Sequence, residues 1–239
     1  MDTLHAHPAG TDLASVARLL ADGTRASFCV ALLDGRAWTA TELARHAGVA
    51  ASTATEHLNA LVRGGLLAEE RQGRHRYVRL AGPHVAELIE SLAAMAPGRT
   101  APPRSLSADG RRRALAHART CYDHLAGAVA VAITDTMTER GLLDWERGLS
   151  LTADGEAWLG RLGVTVPAGT RRPAVRSCLD WTERRSHLAG AVGAAMCRHA
   201  FDAGWIARIG TTRAVTVTAT GRHAFQDHLG LPEELLARK

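Results

Sequence analysis

The chain has 239 residues, which is long enough for two domains, each with its own hydrophobic core. Hydrophobic residues make up 46% of it and charged residues 22%, a balance typical of soluble globular proteins and not of disordered chains. No stretch approaches the roughly 18 consecutive apolar residues of a membrane span, and residues 1–10 lack the apolar segment of a signal peptide, so we expect a cytoplasmic protein without a membrane partner.

Three short helices are predicted before residue 48. Apolar residues recur at helical spacing over residues 11–33, and the pair Asp22-Gly23 divides this stretch into two helices. A third helix is expected over Thr41–Ala47, because Thr39 and Glu42 have the spacing of a capping box.

A fourth helix and a β-hairpin are predicted after a tight turn at Gly48. The helix is expected over Ser52–Arg63, where apolar residues form a stripe on one side. Residues 66–71 and His75–Leu80 lie on either side of Gln72-Gly73 in the pattern of a hairpin. Helix, turn, helix and hairpin in this order are the layout of a winged helix-turn-helix, so double-stranded DNA is the expected partner.

Four motifs of this region resemble those of the arsenic-repressor (ArsR) family of bacterial regulators. They are LADGTR at Leu20–Arg25, TELA at Thr41–Ala44, STATEHLNAL at Ser52–Leu61 and GLL at Gly65–Leu67. The resemblance covers about residues 11–96, and we assign residues 1–96 to the DNA-binding domain. A homodimer is expected, because symmetric dimers match symmetric operators. Repression of transcription is implied by the resemblance alone.

Polar side chains of the fourth helix are the candidates for reading base edges in the major groove. They are Ser52, Thr53, Thr55, Glu56, His57 and Asn59. The hairpin tip carries side chains suited to phosphates or a narrow minor groove, namely Arg71, Arg74, His75 and Arg76. ArsR-type regulators often have a basic or amide residue at the position of Glu56, so the base preference stays open.

A second domain is expected beyond a linker. Residues 97–110 contain three prolines among small polar residues and are interpreted as the linker. Residues 111–239 are predicted to form a regulatory and dimerisation domain that receives the signal releasing the operator.

The C-terminal domain contains an internal repeat. The hexapeptide HLAGAV at His124–Val129 recurs at His187–Val192, which favours a duplication with copies at about 111–166 and 173–230. Each copy is predicted to have a helix, a glycine stop, a strand pair and a second helix, and so to be winged-helix-like. The expected fold class is therefore mainly α with small β-hairpins.

The four cysteines are widely spaced and form no CxxC pair, so a disulfide framework is not expected. Cys121 with His124, and Cys178 with His187, are candidate ligands of a metal ion. A separation of three residues places the first pair on one face of a helix, but nine residues would place the second pair on opposite sides. Structural packing, metal sensing and thiol-redox sensing stay open as roles of these residues.

Two other metal sites are considered. ArsR-type metal sensors carry a Cys-x-Cys motif in the third helix, and the matching stretch here, Glu42–His46, has none. His84, Glu87 and Glu90 lie at helical spacing after the hairpin, where a solvated helix face is the expected role.

An enzyme is not expected, because the sequence lacks a Gly-rich phosphate loop, a Gly-x-Ser-x-Gly elbow and a His-Glu-x-x-His motif. The predicted function is a sequence-specific DNA-binding regulator whose effector, a metal ion or a small molecule, is unnamed. If the C-terminal domain binds a small-molecule effector, it needs a pocket between the repeats. If it only dimerises, it needs none. The candidate lining residues of such a pocket are Trp145, Trp158, Trp181, Phe201 and Trp205.

Overall fold

The computed structural model describes residues 10–73, 75–96, 106–146, 148–167 and 172–237. Arg74 of the predicted hairpin tip and residues 97–105 of the predicted linker lie outside these ranges. The chain divides into two compact units between Ile89 and Glu90. Among the described helices, none combines the length and the apolar character that crossing a bilayer requires.

Unit 1 has the helices and the hairpin of a winged helix-turn-helix. Its elements are α1 (Gly10–Leu20), α2 (Gly23–Ala31), a 3-10 turn (Leu32–Asp34), β1 (Trp38–Thr39), α3 (Ala40–Ala47), α4 (Ala51–Arg63), β2 (Leu67–Gln72), β3 (His75–Leu80) and the start of α5 (Pro83–Met95). The three strands form an antiparallel sheet in the order β1-β3-β2. The prediction for this region is confirmed, and β1 is an addition to it.

Local signals set the element boundaries of unit 1. The Thr39 side chain accepts a hydrogen bond from the Glu42 backbone, and the Glu42 carboxylate accepts one from the Thr39 backbone, which completes the predicted capping box. Gly48 ends α3 with φ 74°, a left-handed conformation that glycine adopts without strain. Apolar side chains of the helices and of β3 form the core around Phe28, Leu58 and Val78, which are at most 1% exposed.

Unit 2 contains a further set of helices and two-stranded hairpins. The elements are α6 (Leu106–His117), β4 (Arg119–Cys121), β5 (His124–Ala126), α7 (Ala128–Glu139), β6 (Leu143–Asp144), β7 (Ser150–Leu151), α8 (Ala153–Arg161), β8 (Arg176–Leu179), β9 (Ser186–Ala189), α9 (Gly190–Asp202), β10 (Ile206–Arg208), β11 (Val215–Val217), α10 (Ala219–Leu229) and α11 (Glu233–Leu236). We call β4 to α8 the first series and β8 to α10 the second series. Each has the order hairpin, helix, hairpin, helix.

Two predictions for this region need correction. Residues 106–110 are not linker but the first part of α6, where Asp109 pairs with Arg112 and Arg113 one helical turn later. Residues 119–126 and 176–189, which the prediction placed in the first helix of each copy, form β-hairpins, and the helices begin only at Ala128 and Gly190. Common origin of the two series by duplication remains a prediction.

The two series interlock in the core of unit 2. Helix α7 packs against β9 of the second series, α9 packs against β5 of the first, and β5 neighbours β9. The Leu188 backbone N–H donates to Thr134 Oγ1 over 2.9 Å, which joins β9 to α7. The opening hairpins are therefore held side by side in the interior.

Glycine makes the sharp passage from each opening hairpin into its helix possible. Gly127 and Gly190 have φ of 90° and 86°, a region that other residues rarely adopt. A Cβ on Gly127 would lie 2.7 Å from the backbone oxygen of Ala116, and one on Gly190 would lie 2.8 Å from the Cα of Val175. The two positions recur in the repeated hexapeptide because both backbone conformation and space exclude a side chain there.

Candidate DNA-binding surface and Cys-His cluster

Helix α4 buries one side and exposes the other. Ala54, Leu58 and Leu61 are fully buried in the core of unit 1. Of the six predicted base-reading residues, Ser52, Thr55 and Glu56 are exposed and Thr53, His57 and Asn59 are half-buried.

Three of these six side chains make contacts within unit 1. The His57 ring packs edge-on against Phe28, with centroids 6.5 Å apart, and its Nδ1 lies 3.4 Å from a guanidinium nitrogen of Arg25. The Thr55 hydroxyl donates to the Ala51 carbonyl over 2.9 Å. The Asn59 side-chain oxygen accepts from Arg76 Nη1 over 2.8 Å. Ser52, Thr53 and Glu56 are the remaining members of the predicted base-reading set.

The β2–β3 hairpin presents the predicted basic tip. Arg71 and His75 are exposed, and Arg71 lies opposite Arg76 across the two strands. Arg76 is half-buried, pairs with Glu69 over 2.6 Å and donates to Asn59. Arg76 thus ties the hairpin to α4, a role that its position in the sequence did not indicate.

The opening hairpins of unit 2 bring together the two cysteines and two histidines singled out by sequence, which we call the Cys-His cluster. Cys121 lies directly opposite His124 in the β4–β5 pair, and Cys178 lies directly opposite His187 in the β8–β9 pair. The Sγ atoms are 4.0 Å apart and the Nε2 atoms 3.1 Å apart, and all four ligand atoms lie within 4.8 Å of one another. Cys178 is half-buried and the other three are buried.

This geometry overturns the argument from helical spacing. A separation of three residues suits cross-strand partners in a hairpin with a two-residue loop, and nine residues suit partners across a longer loop. Both pairs therefore meet, although the second pair could not do so on a helix. Tyr122, with φ 59°, makes the tight turn of the first hairpin.

Carboxylates lie behind both imidazoles. His124 Nδ1 is 3.3 Å from Asp123 Oδ1, and Arg172 donates to both oxygens of Asp123. His187 Nδ1 lies 3.7 Å from Asp180 Oδ2 and has no hydrogen-bond partner among the described residues. In both rings the Nε2 atom is the one that faces the other hairpin.

Asp180 is the most strongly held of these carboxylates. It accepts from Arg119 Nη2 over 2.9 Å, from the Gly127 backbone over 2.7 Å and from the Thr182 hydroxyl over 2.6 Å. Burial by itself would raise the pKa of Asp180, but the Arg119 charge and these hydrogen bonds lower that pKa to about 2. Asp180 is therefore an anion paired with a cation in the interior.

Glu90 reaches the thiol side of the cluster. It is buried, whereas His84 on the same helix is exposed, so the expected solvated face does not extend to this residue. The Cys121 thiol donates to Glu90 Oε2 over 2.9 Å, and Arg213 pairs with the other oxygen over 2.7 Å. The hydrogen bond with Cys178, together with burial, raises the pKa of the Cys121 thiol.

The other two cysteines are core residues. Cys29 and Cys197 are at most 5% exposed, and burial raises their thiol pKa values to about 11 and about 12. They behave as small apolar side chains.

The predicted pocket lined by five aromatic residues does not form as such. Trp158 and Trp205 line an apolar cavity of about 40 Å³ within unit 2, far below the roughly 300 Å³ at which small-molecule sites begin. Trp145 lines a separate, more open and more polar depression of about 480 Å³, together with Asp135 of the first series and Arg185 near the start of β9. The Trp145 indole donates to Thr138, whereas Trp181 and Phe201 pack under the guanidinium groups of Arg119 and Arg208.

Comparison with known proteins links both units to transcriptional regulators. A family described as a helix-turn-helix domain matches residues 20–70. YdfF of Bacillus subtilis (strain 168), an uncharacterized HTH-type transcriptional regulator, is 39% identical over 223 residues, which are 92% of this chain and 98% of YdfF. The HTH-type transcriptional regulator CmtR of Mycobacterium bovis is 39% identical over 80 residues, or 34% of this chain and 67% of CmtR.

Among solved structures, a homodimeric winged helix-turn-helix fragment from Mycobacterium bovis, described as a possible ArsR-family regulator, is 30% identical. The match covers 40% of this chain and 89% of the fragment, with a TM-score of 0.34.

Proposed function

The chain belongs to the HTH-type transcriptional regulators and carries an ArsR-type winged helix-turn-helix, and on this premise we propose that it is a homodimeric repressor acting in the cytoplasm. Helix α4 reads the operator in the major groove, and the β2–β3 hairpin holds the adjacent backbone. The observation that carries the proposal is the combination, within unit 1, of an exposed polar face on α4 with an arginine-bearing hairpin.

Base reading is assigned to Ser52, Thr53 and Glu56. These side chains belong to the first half of α4, the part of a recognition helix that contacts base edges. Hydroxyls donate or accept, and the Glu56 carboxylate suits a cytosine amino group. His57 and Asn59 support the surface through Phe28 and Arg76.

Phosphate contact is assigned to the hairpin tip, Arg71, Arg74 and His75, whereas Arg76 holds the hairpin to α4. Arginine suits this role because its fork donates paired hydrogen bonds to phosphate oxygens. Thr55, which is exposed on α4, is assigned to contact with the DNA backbone.

A homodimer is supported by exposed apolar side chains. Leu13 on α1 is 73% exposed, and Leu92 and Met95 near the end of α5 are 44% and 77% exposed. A partner subunit that covered these side chains would gain the free energy of burying their apolar surface.

The experiment that tests the proposal selects bound duplexes from a random library and measures their affinity by fluorescence anisotropy. We expect one enriched sequence with two related half-sites, and loss of preference at single base pairs in Thr53→Ala and Glu56→Gln. Arg113→Ala, an exposed arginine of unit 2, is the matched control and should bind as wild type does. No enriched sequence, or equal binding of all duplexes, would contradict the proposal.

A response to a metal ion or to thiol oxidation is the second candidate function, favoured by the Cys-His cluster. The release of a labelled operator is measured while Zn²⁺, a chelator or peroxide is added to the wild type and to Cys178→Ser. A change in affinity that the variant lacks supports this response. Equal curves for both proteins contradict it.

A further inference from the structure

We propose that Cys121, His124, Cys178 and His187 bind one Zn²⁺ ion per chain in a tetrahedral site that joins the two opening hairpins of unit 2. The inference does not rest on the proposed DNA contacts, because every residue that it uses belongs to unit 2.

The spacing of the four donors fits such an ion. Zinc binds thiolate sulfur at about 2.3 Å and imidazole nitrogen at about 2.0–2.1 Å, so a tetrahedron places two sulfurs about 3.8 Å apart and two nitrogens about 3.3 Å apart. The two Sγ atoms here are 4.0 Å apart and the two Nε2 atoms 3.1 Å apart. Each of these two distances departs from its tetrahedral value by about 0.2 Å, the tolerance of a zinc site, and all four donor atoms lie within 4.8 Å of one another.

The orientation of the two imidazoles also favours a cation between them. Asp123 lies behind Nδ1 of His124 and Asp180 behind Nδ1 of His187, and each carboxylate favours a proton on the nitrogen that it faces. Both Nε2 atoms then present lone pairs to each other over 3.1 Å. An ion between them turns this repulsion into two bonds, and ligation makes His187 Nδ1–H, now without a hydrogen-bond partner among the described residues, a stronger donor toward Asp180.

The surrounding charges are balanced before an ion binds. Asp123, Asp180 and Glu90 face Arg172, Arg119 and Arg213 respectively, each pair with a contact of 2.9 Å or less. One divalent cation displaces the two thiol protons to solvent, and the ion with two thiolates and two neutral imidazoles has no net charge. A neutral centre in a charge-paired shell avoids the cost of an isolated buried charge.

The hairpins hold the donors in place. Each cysteine is the cross-strand partner of its histidine, and the two hairpins are neighbours in the interlocked core. Cys178 is the one half-buried donor, which gives the ion a path from solvent. The site is thus preorganised on strands and not assembled from loops.

The test uses the full-length protein, reduced, freed of metal with a chelator and then titrated with Co²⁺ and Zn²⁺. We expect one equivalent of either ion, tetrahedral Co²⁺ absorption in the visible range, and a near-ultraviolet thiolate-to-cobalt band of the intensity of two thiolates. Cys178→Ser should halve that band, and His124→Gln should keep it while lowering zinc affinity. In both variants the affinity for Zn²⁺ should fall by more than 100-fold, because substitutions of residues that only support the ligands already lower it by roughly 10- to 100-fold. Cys29→Ala, which removes a buried thiol of unit 1, is the control and should match wild type.

Circular dichroism checks the fold of each variant. If a variant fails to fold, the alkylation of Cys178 in the wild-type protein still tests the proposal. Zinc should protect Cys178 from iodoacetamide, and the chelator should restore its alkylation. The assignment is overturned if reduced wild type gives no thiolate-to-cobalt band, or if zinc leaves Cys178 alkylation unchanged. It is also overturned if a Cys121–Cys178 disulfide forms in air in the presence of excess Zn²⁺, because the cysteines would then be a redox pair.

Discussion

Replacing Arg119 by methionine should destabilise unit 2 severely, because this arginine is fully buried between two carboxylates. Its side chain donates to Asp180 over 2.9 Å and to the Leu115 carbonyl over 3.0 Å, and its Nε lies 3.7 Å from Glu90. The guanidinium also packs on the ring of Trp181, with its central carbon 5.2 Å from the ring centroid. Methionine keeps much of the volume but leaves both carboxylates without this partner.

The magnitude follows from the burial of the three groups. Arg119 and Asp180 are 0% exposed and Glu90 is 4% exposed, and removing one partner of a buried ion pair costs about 3–5 kcal/mol. Glu90 keeps Arg213 as a second partner. Most of the lost free energy of unfolding therefore comes from Asp180, which is left without its cationic partner. With a urea dependence of about 2 kcal/mol per molar, the unfolding midpoint should fall by about 1.5–2.5 M.

The assay is urea unfolding of the full-length protein, followed by tryptophan fluorescence with a chelator present throughout. Trp38 belongs to unit 1 and the other four tryptophans to unit 2, so the signal reports chiefly on unit 2. Asp180→Asn and the double variant with Arg119→Met complete a cycle, and the double loss should fall below the sum of the single losses by about 0.5–3 kcal/mol. A loss under about 1 kcal/mol in Arg119→Met, or strict additivity, would refute the reasoning.

Three further predictions concern recognition and packing. Arg71→Ala, which removes an exposed arginine of the hairpin tip, should weaken binding to operator and random duplexes alike and reduce the salt slope of the affinity by about 1, as anisotropy at several salt concentrations would show; an unchanged slope contradicts the hairpin assignment. Thr53→Ala should reduce discrimination between operator and random DNA and leave the thermal unfolding midpoint unchanged. His57→Ala should lower the thermal unfolding midpoint as well, because the His57 ring packs on Phe28. Equal midpoints for the two variants would contradict this stabilising role of His57. Gly221→Ala should lower the free energy of unfolding by about 1–3 kcal/mol or more, because its Cβ would lie 1.9 Å from the Trp205 carbonyl oxygen. Gly160→Ala is the control, because the space around Gly160 is open. Equal urea midpoints for the two variants would contradict this prediction.

The elements of unit 1 could be predicted because their signals are local. Helical spacing, the Thr39 capping box and the turn at Gly48 each act within a few residues, and the structure follows them. The strand Trp38–Thr39 was missed because two residues are too few for an alternating pattern. It exists through its pairing with β3, which is distant in sequence.

The opening hairpins of unit 2 could not be predicted in this way. The turn between Cys121 and His124 is Tyr122-Asp123, which lacks the Asn-Gly or Gly-Gly signal of a two-residue hairpin. Tyr122 takes φ 59°, a conformation that is rare for an aromatic residue and that its sequence does not signal. A separation of three residues then fits a helix and a hairpin equally well.

The second pair held the information that separates these two possibilities. Cys178 and His187 are nine residues apart, which a helix cannot place on one face but a hairpin with a longer loop can. Treating both separations as cross-strand registers gives one geometry for both copies of the repeat.

The pairing of the two opening hairpins explains why four donors meet at one point. Each opening hairpin supplies one thiol and one imidazole, so neither series contains a complete tetrahedral set. The set is completed only when α7 packs against β9 and α9 packs against β5, which holds β5 beside β9. Formation of the cluster is therefore a consequence of native packing between the two series, and an ion bound there would stabilise that packing by a free energy that rises with the logarithm of the ion concentration above the dissociation constant.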